Sequence, residues 1–181
     1  MRTPLFALLA TGCPAAAPDD PDATEEPLEV EWDVLPRVSG GEYLRGGFTQ
    51  VSAAAYASAV ATGKSIEVWI TSEDAAVFAS IAPESTGSGV ELERGAIIVR
   101  EIFLDDGTLD SLTVMARSEP GYSPAFGDYW YGSLDADGWP RVDLNGDASI
   151  GPLVEACANC HLSRAGDGFL FGVPAEHRGP P

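Results

Sequence analysis

The sequence predicts an α+β domain: an antiparallel β-sheet with flanking helices, the last of them short and near the C-terminus. Three observations predict it. Residues 96–104, AIIVREIFL, end at the turn sequence Asp105-Asp106-Gly107, and Leu109 to Arg117 follows as a hairpin partner. A helix–strand–helix pattern precedes that hairpin. Further strand and turn signals follow it, with no internal repeat.

The N-terminal segment reads differently. Arg2, an apolar run from Leu5 to Ala10, and Thr11-Gly12 before Cys13 form a secretory signal of the bacterial lipoprotein pattern over residues 1–13. In that pattern Cys13 is lipidated and becomes the new N-terminus, and several acyl chains on one residue anchor stably. Residues 14–41, rich in proline and acid, are expected to form an extended tether. The folded domain is expected over 42–181. The implied location is the bacterial cell envelope, on the periplasmic side or at the cell surface, with membrane contact only through the anchor.

Within the domain, residues 52–61, SAAAYASAVA, predict a helix capped by Ser52 and ended by Gly63. Ile66, Val68 and Ile70 alternate with Glu67 and Trp69, which predicts a strand. Ser72 is expected to cap a second helix, with Glu73 and Asp74 favourably placed in its first turn. Residues 83–89 read as a loop. After the central hairpin and a loop over 118–127, Tyr129-Trp130-Tyr131 opens a strand that ends at the turn Asp135-Ala136-Asp137-Gly138. From Leu153 onward a short helix carries Cys157-Ala158-Asn159-Cys160-His161.

Charge narrows the partners. The chain of 181 residues carries 28 acidic and 10 basic side chains, a formal charge of −18. Such a surface repels phosphate backbones, which argues against nucleic acid. No stretch approaches the ~20 apolar residues of a membrane-spanning helix.

C-x-x-C-H is the attachment sequence of a c-type haem. Two thiols add across two vinyl groups, and the two-residue gap lets one helical turn present both sulfurs to one porphyrin edge. The adjacent histidine becomes the axial ligand. Cys157 and Cys160 are therefore the candidate anchors of one covalent haem c, and His161 the candidate proximal iron ligand. Three other readings stay open: a structural disulfide, a redox dithiol, and half of a zinc site with His161 and His177. A redox dithiol belongs early in a βαβ unit, not at the end of a β-rich domain. The zinc site lacks ligands at the usual spacing. Export favours haem, since c-type maturation happens outside the bacterial cytoplasm.

Further blocks accompany the motif: Gly95-Ala96-Ile97-Ile98-Val99-Arg100-Glu101, then Val114-Met115-Ala116-Arg117, Pro120-Gly121-Tyr122, Gly127-Asp128-Tyr129-Trp130-Tyr131-Gly132, and Asp167-Gly168-Phe169-Leu170-Phe171. In that order they resemble the cytochrome P-460 family and its relatives, the beta-type cytochromes c prime. The resemblance covers the C-terminal half well and residues 42–94 loosely. It implies an antiparallel β fold, often dimeric, with one five-coordinate haem c. It implies either hydroxylamine oxidation, using a lysine cross-linked to the porphyrin and a distal carboxylate, or binding of small gases such as nitric oxide.

The chain departs from the enzymes of that family. Arg100 stands at the cross-linking lysine's position, and a guanidinium is a poor nucleophile. Thr113 stands at the carboxylate's position and cannot act as a base. Asp110 is close, but its offset turns it to the other face of a strand. Lys64, the single lysine, lies elsewhere. Met115 is a candidate sixth ligand or a core residue. His177 reads as a solvated tail histidine. Arg100 can meet an iron-bound ligand or a haem propionate, or pair with an acid on a strand face. Asp143-Leu144-Asn145-Gly146-Asp147 begins like a calcium loop and then loses the pattern at Ala148.

The expected protein is an exported, lipid-anchored mono-haem c protein whose five-coordinate iron handles small nitrogen oxides, in a non-polar distal pocket that favours neutral diatomics. Its redox partner is open. The alternatives are an electron-transfer cytochrome using Met115, a hydroxylamine-oxidising enzyme, and a disulfide-stapled envelope module.

Overall fold

Side chains alternate along extended backbone, so a sheet has two faces, and here both are buried. The computed structural model describes residues 29–59, 62–83, 87, 89–152 and 154–179. In chain order the elements are α1 (Glu29–Val38), β1 (Phe48–Gln50), β2 (Tyr56–Ala57), β3 (Ser65–Thr71), α2 (Ala75–Ala79), β4 (Ile97–Phe103), β5 (Leu109–Arg117), β6 (Tyr129–Asp135), β7 (Ile150–Gly151) and α3 (Glu155–Leu162), with 3-10 turns between them. The strands form one antiparallel sheet in the order β1-β3-β4-β5-β6-β7, with β2 also paired to β3. This is the α+β class that the sequence predicts.

The first face carries Ile97, Val99, Leu112, Val114 and Trp130, packed against Val34 and Val38 of α1 and against Tyr43. The second carries Val68, Ile70, Ile98, Met115, Tyr129 and Tyr131. Phe78 of α2, Ala158 of α3, and Ile81, Leu170 and Val173 cover it. Each such aliphatic or aromatic side chain, fully buried, stabilises the fold by about 1.5–3 kcal/mol. The β4–β5 hairpin forms as expected, with Arg100 opposite Thr113, and a bulge after Ile102 takes up Asp110.

Three expectations are corrected. The tether does not extend to residue 41, because Glu29–Val38 is helix and the chain to Arg45 continues as 3-10 turns. Val34, Leu35 and Val38 recur at helical spacing, and burial of Val34 and Val38 outweighs the acidic composition around them. The folded domain thus begins before residue 42. Cys13, the signal and residues 14–28 lie outside the described residues.

No helix forms at residues 52–59. Ser52 bridges to Arg178, Ala53 N–H donates to the His177 carbonyl at 2.8 Å, and Val68 N–H donates to the Ser52 hydroxyl at 3.0 Å. Alanine's helix preference amounts to under ~1 kcal/mol per residue, so these sheet-edge hydrogen bonds prevail. Ser72 likewise does not cap. It is the first residue of a 3-10 turn, and the Thr71 hydroxyl donates to the Asp74 carboxylate at 2.8 Å. Among the described residues no helix is long and apolar enough to cross a membrane.

Candidate functional site

Helix α3 carries the CANCH run onto the second face of the sheet. A three-residue step is close to one helical turn, so Cys157 and Cys160 lie on one side of the helix. Cys157 is half-buried and packs against the core cluster of the second face, while Cys160 is exposed. Both are free thiols. Burial pushes the Cys157 thiol above its ordinary value, with Arg100 acting in the opposite direction. A redox dithiol needs a lowered thiol instead.

His161 is half-buried between two rings. Its centroid lies 5.5 Å from that of Tyr131 and 5.1 Å from that of Phe171, the latter edge-on. Its Nδ1 is 2.6 Å from the carbonyl oxygen of Phe169. A carbonyl only accepts, so Nδ1 carries the proton, and in the neutral ring Nε2 keeps its lone pair. Burial holds the imidazole's pKa below its ordinary value; the Phe169 carbonyl opposes that shift and the Arg100 charge adds to it.

The backbone that presents this carbonyl is strained and tightly enclosed. Phe169 has φ +64° and Gly168 φ +63°, and a left-handed phenylalanine persists only where its surroundings hold it. A Cβ on Gly168 would lie 2.0 Å from the Val90 carbonyl oxygen, and one on Gly127 would lie 2.3 Å from the Phe169 ring. Glycine is required at both positions. Asp167 is buried, accepts from Gly87 N–H at 2.8 Å, and lies 3.7 Å from Arg164. Arg164 also donates to the Pro83 carbonyl and stacks over Phe171 at 4.9 Å.

Arg100 and Thr113 meet across β4 and β5, the Arg100 Nε donating to Thr113 Oγ1 at 3.0 Å. Their register places both on the face that α3 covers. Burial lowers the Arg100 pKa, and the charges that oppose this come from Cys157, Tyr56 and Cys160 in that order. The face on which a non-polar pocket is expected thus carries a cation. Met115 is buried among the side chains of the same face.

Other residues are committed elsewhere. Lys64 is 2.8 Å from Asp110, and Arg141 is 3.6 Å from the same carboxylate. His177 is not a loose tail residue, because its ring stacks on Tyr56 at 4.7 Å and 11°. The Asp143 carboxylate accepts from the backbone N–H groups of Asn145 and Asp147 at 2.7 and 3.0 Å, a polar turn. Among the described residues no three His, Cys, Asp or Glu side chains are grouped to hold a metal ion. An open groove of about 420 Å³ lies at the β2–β3 edge, and Tyr56 is among the residues that line it.

Sequence reasoning missed the Phe169 carbonyl, the Arg164–Asp167 brace and Tyr56. The adjacent Gly168-Phe169 was the available signal for a constrained turn; Tyr56 left none. No protein-family model, curated protein or solved structure matches the chain.

Proposed function

We propose that this chain is an exported mono-haem c protein of the cytochrome P-460 type, lipid-anchored through Cys13 in the bacterial envelope, that binds or redox-handles small nitrogen oxides such as nitric oxide. One observation supports the proposal: the Nδ1 of His161 is engaged by the Phe169 carbonyl at 2.6 Å, which leaves the Nε2 lone pair available to a metal. Of the two free thiols, Cys157 stands one helical turn before that imidazole and Cys160 directly before it. These residues fit haem c.

Cys157 and Cys160 would hold the group through thioether bonds, and His161 would hold its iron. Bound there, haem c would supply an iron able to take a small ligand. The chain's own residues prepare the imidazole. Phe169 sets its tautomer, Tyr131 and Phe171 restrict its rotation, and burial keeps it neutral.

The alternatives weaken on specific grounds. Arg100 is cationic and half-buried, so it is no nucleophile for a porphyrin cross-link, which counts against hydroxylamine oxidation. Met115 fills the core beside Tyr131 and Ala158, and vacating that position would open a cavity at a cost of about 2–5 kcal/mol. That disfavours a methionine-ligated electron carrier.

The test is expression of the full chain alongside haem-ligation machinery, followed by mass spectrometry and ferrous spectra with and without nitric oxide. One added haem mass and a spectrum that shifts with nitric oxide are expected. Sharp low-spin bands insensitive to the gas would remove the open face. A strongly red-shifted Soret band would restore the cross-linked enzyme. Protein without haem mass would leave the disulfide-stapled module.

A further inference from the structure

We propose that Arg100 is an anion-binding residue, its guanidinium taking a carboxylate or a small oxyanion on the face of the sheet that α3 covers. The proposal deepens the haem reading and rests on it only for the source of the anion.

Arg45, Arg94, Arg117, Arg141, Arg164 and Lys64 each have a carboxylate within the 4.0 Å of an ion pair. Arg178 gives its nitrogens to the Val173 and Ile81 carbonyls at 2.8 and 2.9 Å. Arg37 is above the Phe48 ring at 5.4 Å. Arg100 differs from all of them. It is half-buried, and its Nε donates to Thr113. Among the described residues it makes no ion pair, and its two terminal nitrogens meet no acceptor. A cation withdrawn from water without a counter-charge is unfavourable. In a chain with 28 acids, that isolation needs a cause.

Strand geometry supplies it. Arg100 is opposite Val68 on β3 and Thr113 on β5, neither of them acidic. The nearest acids in sequence and register, Glu101 and Glu67, are turned to the other face by alternation. There the Glu101 carboxylate accepts from the Tyr43 hydroxyl at 2.6 Å and from Trp69 Nε1 at 2.8 Å. Glu67 accepts from Gln50 Nε2 at 2.9 Å. The chain's own carboxylates are thus held away from Arg100.

What does lie near Arg100 is Cys157 and Cys160 of α3 and Tyr56 of β2, none of them a carboxylate. Two free guanidinium nitrogens form a planar fork that matches a carboxylate or a nitrite-like oxyanion. A second orphan donor stands on the same face. The Tyr131 hydroxyl belongs to a residue only 1% exposed and has no hydrogen-bond partner. The anion can come from a carboxylate of the bound cofactor or from solution.

The experiment compares wild type with R100Q and R100K in the full chain from a maturation-competent host. Absorbance is titrated with sodium nitrite and separately with sodium acetate, and thermal unfolding is recorded in parallel. With a free oxyanion as occupant, nitrite or acetate gives a saturable change in wild type. R100Q then weakens it by about tenfold or more, with R100K intermediate. With a cofactor carboxylate as occupant, neither anion gives a saturable response, yet R100Q lowers the melting temperature of loaded protein by about 3 °C or more. Unaltered anion response and unaltered melting in R100Q would overturn the proposal. Colourless preparations would defeat the haem reading alone. In them, a rise in melting temperature with sodium nitrite that R100Q abolishes supports anion binding, and no rise refutes it.

Discussion

The Nδ1 of His161 stands 2.6 Å from the carbonyl oxygen of Phe169, eight residues further on, and this pair joins the CANCH helix to the loop that follows it. The helix supplies the ring and the loop supplies its orientation. Neither is sufficient alone, because a ring on an exposed helix turns freely and chooses its tautomer with solvent.

Removal of the ring tests its role. In a host that ligates haem, H161A is expected to lower the yield of loaded protein severalfold and to change the ferrous spectrum of what remains. C157S and C160S are each expected to retain one covalent link, and the double variant none. Mass spectrometry under denaturing conditions reads all four proteins. A wild-type spectrum from H161A would take His161 off the iron.

Gly168 tests the loop. G168A places a Cβ 2.0 Å from the Val90 carbonyl oxygen at φ +63°. The expected loss is about 2 kcal/mol or more in denaturant unfolding. G166A is the control, since its Cβ meets the Gly87 Cα at an ordinary 3.5 Å. It is expected to change stability by less than about 1 kcal/mol. Equal losses in the two variants would contradict the packing described.

Glu101 tests the other face. It is buried and accepts from both Tyr43 and Trp69. E101A leaves two donors without an acceptor, for an expected loss of about 2–4 kcal/mol. E101Q keeps one amide oxygen as acceptor and is expected to lose less. Urea unfolding of the three proteins measures it.

Lys64 and Asp110 give a pH dependence. The hydrogen bond from Lys64, with smaller help from Ser111 and Arg141, holds the Asp110 carboxyl below its ordinary value of ~3.9. As pH falls, the unfolded chain takes up the proton first. The pair's contribution is therefore fully present above about pH 4 and is lost as pH drops through the lowered folded value. The pair is partly exposed, so K64M is expected to cost under about 1 kcal/mol at pH 7 and nothing at the acid end. Unfolding free energies of wild type and K64M across that range would expose a pair with no such dependence.

Much of the fold was legible. Strands β3 to β6 announced themselves because alternating β-branched and aromatic runs bury one or both faces of a sheet. Helix α3 was placed within two residues of its start. Of the candidate site, Cys157, Cys160 and His161 were legible from local spacing, and Arg100, Thr113 and Met115, named from the resemblance, fall on the same face of the sheet. Helix α1 was hidden by the acids around Val34 and Val38, and the alanine run after Ser52 carried a local helical preference that its neighbours overrode.

By itself the sequence determined the antiparallel sheet, its central hairpin and a helical turn presenting two thiols beside an imidazole, because those depend on short periodic patterns. Only the tertiary structure decided which nitrogen of His161 is engaged and which acids are absent from Arg100. Those follow from strand register and from a left-handed turn at Gly168-Phe169, which bring together groups far apart in the chain. No local preference encodes such distances.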